Sequence, residues 1–218
     1  MIQLLVNIFE QNRDPEKAGP MEAYMKNHFP FLGIKSPDRK GLVRQFFQES
    51  GLLKQDFQPE FVIALWEKEE REYQYAAMDY IERCLKKLDK QQLSLMEQLL
   101  TIKPWWDTVD LLASKAVGTI AEKHPEVIAE TFEGWAYGDH LWLRRTAILF
   151  QLKYKDQTDE KLLYRYIEQN KDSKEFFIQK AIGWALREYS KTNPESVKEF
   201  IESTTLASLS VREGSKYI

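Results

Sequence analysis

The sequence predicts an all-α protein of helix-turn-helix repeats stacked as a HEAT-like α-solenoid, and three observations lead there. Apolar residues recur at spacings of three and four, as in Phe61 and Leu65 and then Tyr73, Ala76, Ala77, Tyr80 and Ile81, the period of one buried helix face. Strand signals are missing: 218 residues hold nine Gly and eight Pro, with no Asn-Gly or Asp-Gly hairpin turn and no sustained two-residue alternation. Helical stretches beginning at Tyr75, Asp110, Arg145 and Lys180 start 35 residues apart, the length of a helix pair that cannot bury its apolar face alone. Stacked pairs make a curved solenoid whose second helices line a concave groove.

Taken in order, the helices are separated by short breaks at Asp14-Pro15, at Gly33, at Lys155-Asp156-Gln157 and at Lys171-Asp172-Ser173. Ser36-Pro37, His124-Pro125 and Asn193-Pro194 mark helix starts, because proline lacks an N–H that would be unpaired at the first helical position anyway. Leu141, Ile148, Leu149 and Leu152 continue the apolar face, and Phe177, Ala181, Trp184 and Ala185 repeat it further on. No break resembles a long linker, so a single domain over residues 1–218 is expected.

Composition narrows the function. Thirty-one Lys plus Arg against 34 Asp plus Glu gives a net charge of −3 and a pI near 5.8, below the value of about 9 that marks most nucleic-acid-binding domains. Any nucleic-acid surface must be local. Mean hydropathy is −0.52 and no apolar run approaches the ~18 residues of a membrane span. The start Met1-Ile2-Gln3-Leu4-Leu5-Val6 has neither basic leader nor cleavage site, and the lone Cys84 can form no internal disulfide, so a cytoplasmic protein is expected. His28, His124 and His140 are dispersed, which predicts no metal site, and Cys84 reads as an inert buried thiol. Gly-rich phosphate loops, serine elbows and His-Glu-x-x-His motifs are all missing.

The 35-residue step aligns Tyr75, Asp110, Arg145 and Lys180 as one row across neighbouring helices. Three of the four are charged, which points the row at a groove rather than the interior. Trp106 lies four residues before Asp110 and Trp184 four after Lys180, so each ring shares a helix face with its charged neighbour. An isolated helical tryptophan is usually core; the polar row argues for the groove here. Gly183, inside a good helix pattern, marks a close approach to the backbone, by a ligand or by another helix.

Three stretches in register with this row, Trp105-Trp106-Asp107-Thr108-Val109-Asp110, Leu141-Trp142-Leu143-Arg144-Arg145 and Phe176-Phe177-Ile178-Gln179-Lys180-Ala181-Ile182-Gly183-Trp184, resemble the AlkD family of DNA alkylation-repair glycosylases. The likeness extends to Tyr24-Met25-Lys26-Asn27-His28-Phe29, Phe31-Leu32-Gly33-Ile34 and Gln151-Leu152-Lys153-Tyr154-Lys155. It implies a solenoid that excises cationic N3- and N7-alkylated purines from double-stranded DNA, without metal or organic cofactor, as a monomer. It also implies a catalytic cluster of Trp106, Asp110 and Trp184, and a backbone-contacting Arg145. These residue types suit the chemistry. An alkylpurine that already carries positive charge needs no general acid to leave, so a carboxylate that stabilises the developing sugar cation supplies the main help. Tryptophan faces attract the cationic nucleotide, worth about 0.5–2 kcal/mol each.

Phosphate contacts are expected at Lys35, Ser36, Arg39 and Lys40, where basic side chains meet a helix N-terminus. The other reading of Ser36 is an ordinary helix cap. Tyr24, Lys153, Lys180 and Arg187 complete the expected DNA-binding set, while Lys86-Lys87 and Glu67-Lys68-Glu69-Glu70 read as solvated faces. Asp107 reads as a complement to the helix dipole. One alternative stays open: a noncatalytic helical-repeat module that binds DNA structures or a protein partner through the same groove.

Overall fold

The computed structural model describes residues 1–218, and every regular element in it is helical. The chain divides into two compact units, residues 1–88 and 89–218. The first contains α1 (Ile2–Gln11), α2 (Pro15–Tyr24), α3 (Ser36–Ser50), α4 (Pro59–Trp66) and α5 (Arg71–Arg83). The second contains α6 (Leu93–Thr101), α7 (Trp106–Leu111), α8 (Gly118–Lys123), α9 (Glu133–Tyr137), α10 (Leu141–Leu149), α11 (Glu160–Asn170), α12 (Phe176–Tyr189), α13 (Pro194–Ser203) and α14 (Ser208–Gly214). No helix is long and apolar enough to cross a membrane.

Local chemistry explains the boundaries. Asp14 caps α2 ahead of Pro15, its side chain accepting from Lys17 N, and Asn193 caps α13 ahead of Pro194 by accepting from Ser196 N. Asp159 does the same for α11 by accepting from Leu162 N at 3.0 Å. The apolar face read from sequence is the buried one: Tyr73, Ala76, Ala77, Tyr80 and Ile81 of α5 are all buried, as are Ile148, Leu149 and Leu152.

In the first unit the irregular stretch before α3 is held by two adjacent buried residues of α5. Glu72 accepts from the backbone N–H groups of Leu32, Gly33 and Ile34 at 3.0, 2.9 and 3.0 Å. The Arg71 guanidinium lies 3.8 Å from the centre of the Phe29 ring. Gly33 itself has φ +90°, and a Cβ there would fall 1.9 Å from the carbonyl oxygen of Asp14, so this turn admits only glycine.

The repeat is visible in the second unit as contact. Side-chain hydrogen bonds between its elements recur at separations close to the predicted 35: Tyr154 to the Gly118 carbonyl across 36 residues, Asn170 to the Ala136 carbonyl across 34, Ser196 to Glu160 across 36. These bonds join elements about one repeat apart, as in a helical-repeat stack. Their apolar faces meet in one cluster that includes Ile148, Leu149, Leu163, Ile178, Ala181, Ile182 and Phe200. Between α7 and α8 the chain forms a π-helical segment, Leu112–Val117, beginning two residues after Asp110. Such widened turns concentrate at functional sites.

Candidate active site

Trp105 adopts an extended conformation (φ −155°, ψ 165°), which places Trp106 as the first residue of α7 and Asp110 one turn later. From α10, Arg145 grips Asp110 with both arms of its guanidinium: Nε donates to Oδ1 at 2.7 Å and Nη2 to Oδ2 at 2.9 Å. Its third nitrogen, Nη1, donates to the carbonyl of Phe177 on α12. One side chain thus ties three helices, and the 35-residue row appears as a direct Asp110–Arg145 ion pair. Beneath it Trp105, Trp142 and Phe177 pack ring to ring, with centroids 4.9 to 5.7 Å apart.

Burial pushes the Asp110 carboxyl up from the ordinary carboxylate range, and the Arg145 hydrogen bonds and charge pull against that shift. The geometry serves the ionised form, because both oxygens accept from a group that is always charged. Each oxygen keeps acceptor capacity beyond its single Arg145 bond. An open cavity of about 560 Å³ lies over this pair, lined by Trp106, Asp110, Arg145, Phe176, Phe177, Lys180, Trp184, Arg187, Glu213 and Lys216. The three residues expected to be catalytic thus share one cavity.

The opposite wall is organised by Glu213 of α14. Its carboxylate meets Lys180 Nζ at 3.1 Å, Lys216 Nζ at 2.7 Å and Arg187 Nη1 at 3.5 Å, and the hydrogen bonds from Lys216 and Lys180 hold its pKa down to about 2. Gly183 owes its place to this helix. A Cβ at Gly183 would sit 2.6 Å from the Glu213 Cβ and 3.0 Å from the Ser210 carbonyl oxygen. The close approach read from sequence is therefore helix packing. Gly183→Ala is expected to displace α14 and cost about 1–3 kcal/mol, read as a lower urea midpoint. An unchanged midpoint would show that α14 yields freely.

Several expected contacts need correction. Arg145 is 4% exposed and committed to Asp110 and Phe177, so it anchors the carboxylate and is poorly placed as a leading phosphate donor. Two members of the charged row, Asp110 and Arg145, form an ion pair with each other, while the third, Lys180, lines the same cavity and pairs with Glu213. Arg39 is 8% exposed, lies 4.6 Å from the Tyr75 ring centre and 3.6 Å from the Asp79 carboxylate, and so is withdrawn from the surface. Ser36 is the first residue of α3 and does not cap it; Lys35 holds the cap position, without a side-chain cap hydrogen bond. Lys35, Lys40, Tyr24 and Lys153 are exposed, and Lys180 and Arg187 line the cavity. The remaining readings concern bystanders. Cys84 is buried, with its thiol pKa raised by that burial, His140 caps α10 and His124 lies 3.0 Å from Asp89.

The sequence assigns no site role to Glu213, Lys216, Trp105 or Trp142, and it places Phe177 only on the apolar helix face. Trp105 carried a signal, since adjacent tryptophans on a helix start cannot both face one side. Glu213 carried none.

The sequence matches the DNA alkylation repair enzyme family over residues 5–218, and the chain belongs to that family. Its fold is similar to a structure described as a predicted DNA alkylation repair enzyme from Enterococcus faecalis, with 36% identity, a TM-score of 0.86, and coverage of 94% of this chain and 96% of the other. AlkD2 from Streptococcus mutans shares the fold at 18% identity and a TM-score of 0.58, covering 83% of this chain and 99% of its own. The smu.31 protein of Streptococcus mutans UA159 does so at 19% identity and 0.59, with the same coverage. No curated protein matches the chain.

Proposed function

We propose that the chain is a monofunctional DNA glycosylase that hydrolyses the N-glycosidic bond of cationic N3- and N7-alkylated purines, such as 3-methyladenine and 7-methylguanine, in duplex DNA. The observation that carries this reading is the Asp110 carboxylate, fixed by the two-armed grip of Arg145 on the floor of a cavity shared with Trp106 and Trp184.

In the proposed reaction the bond between sugar C1′ and the base nitrogen breaks, and the electron pair leaves with the base, which becomes neutral. The sugar becomes an oxocarbenium ion. Asp110 stabilises that charge as it develops and orients a water toward C1′; the water adds, loses a proton and leaves an abasic site. Because Arg145 pre-positions the carboxylate, no reorganisation is needed as the charge grows. Trp106 and Trp184 present aromatic faces to the cationic nucleotide, an attraction that a neutral purine lacks. The Lys180 Nζ lies 3.1 Å from the Glu213 carboxylate, a pairing that favours water over an imine-forming lysine as the nucleophile. Lys180, Arg187, Lys153, Lys35, Lys40, Ser36 and Tyr24 are the proposed DNA contacts.

The test is a duplex with one 7-methylguanine, incubated with the protein and analysed for free base and for alkali-labile sites. The reading expects equal amounts of each and no strand break before alkali. Binding without base release would replace it with the noncatalytic alternative; a break before alkali would show lyase chemistry.

A further inference from the structure

The cavity holds two carboxylates and four cations, and they are sorted. Asp110 takes Arg145 alone, while Lys180, Arg187 and Lys216 converge on Glu213. Lys180 lines the same cavity as both carboxylates and is paired with Glu213 rather than Asp110. Glu213 is 9% exposed and comes from α14, a helix packed against α12 at Gly183, where a side chain would block the approach. Ser210 fixes the same helix by donating to the Gln179 carbonyl at 2.9 Å, one residue from Lys180.

We propose that Glu213 is a positioning residue: it holds Lys180 and Arg187 on the α14 wall and keeps the Lys180 ammonium off Asp110, so that the carboxylate meets the sugar rather than a second cation. The inference rests on the glycosylase reading of Asp110. It makes α14 part of the working site. Hydrogen bonds from Lys216 and Lys180 hold the Glu213 carboxyl well below the usual carboxylate range. Loss of Glu213 releases Lys180 toward Asp110 and lowers the negative charge available to the sugar cation, while it adds net positive charge to a DNA-facing cavity.

The two consequences have opposite signs, and that makes the proposal testable. Glu213→Gln is expected to slow single-turnover excision of 7-methylguanine about tenfold, with affinity for undamaged duplex equal to or tighter than that of the wild type. In a Lys180→Met background the same substitution is expected to slow the reaction much less than it does in the wild type, because the displaced ammonium is gone. Melting temperatures of all variants establish that the fold is retained; Glu213→Asp, which keeps the carboxylate, is expected to retain most of the rate, and Glu213→Met serves in place of Glu213→Gln if the amide variant unfolds. An unchanged rate with tighter binding would show that Glu213 only trims the charge of the surface and overturns the proposal. Multiplying effects in the double variant would overturn it too. Absence of excision by the wild-type protein would instead remove the glycosylase reading on which it rests.

Discussion

Asp110→Asn is expected to lower single-turnover excision of 7-methylguanine by roughly 10²–10³-fold, the scale on which a preorganised electrostatic contact contributes to a transition state. The amide keeps one acceptor for Arg145 but carries no charge for the sugar cation. The structure adds a stability effect, because the Arg145 guanidinium is buried and its only carboxylate partner is Asp110. Removing one member of a buried pair costs about 3–5 kcal/mol, and the remaining oxygen of asparagine keeps the loss near the lower end. Assays must therefore be made well below the variant's melting temperature. The wild-type rate should also fall in acid as Asp110 takes a proton, and since burial raises its pKa, that fall begins above the usual carboxylate range. Equal rates for Asp110→Asn and wild type would remove Asp110 from the chemistry.

Glu72→Ala is the substitution expected to cost most in stability. It leaves the N–H groups of Leu32, Gly33 and Ile34 buried without their acceptor, at roughly 1–3 kcal/mol each, for a total on the order of 3–5 kcal/mol once the turn relaxes. Glu72→Gln keeps one acceptor oxygen and should lose about half as much. Urea denaturation gives the size of the loss, and amide exchange at residues 32 to 34 gives its location. A loss below about 0.5 kcal/mol would mean that the turn is held by Gly33 and the Arg71–Phe29 contact alone.

The helical class and the 35-residue step were legible because both are spacings, and spacing survives in a sequence. Asp110 and Arg145 could be paired on paper for that reason. Depth was not legible. The step names neighbours along the stack but not how far below the surface they meet, so a charged row was read as a groove-lining row when two of its members form a buried ion pair. Glu213 escaped for a related reason: another step of 35 from Lys180 lands on Ser215, whereas the contact spans 33 residues. The π-helical turn after Asp110 has no signature in residue types, since Leu112–Val117 continues the helical pattern while widening the coil. Gly183 was read as a point of close approach, and only the structure shows that the approaching group is a helix.

The central claim is that excision draws on charge the lesion already carries. Its most direct test is a panel of duplexes, identical except for one base, carrying 7-methylguanine, 3-methyladenine, uracil, hypoxanthine or 8-oxoguanine, with base release followed under single-turnover conditions. Release of the two methylated purines is expected, with rates for the neutral bases lower by orders of magnitude, because the proposed reaction supplies no proton to the leaving base. Release of uracil at a rate comparable with 7-methylguanine would contradict it.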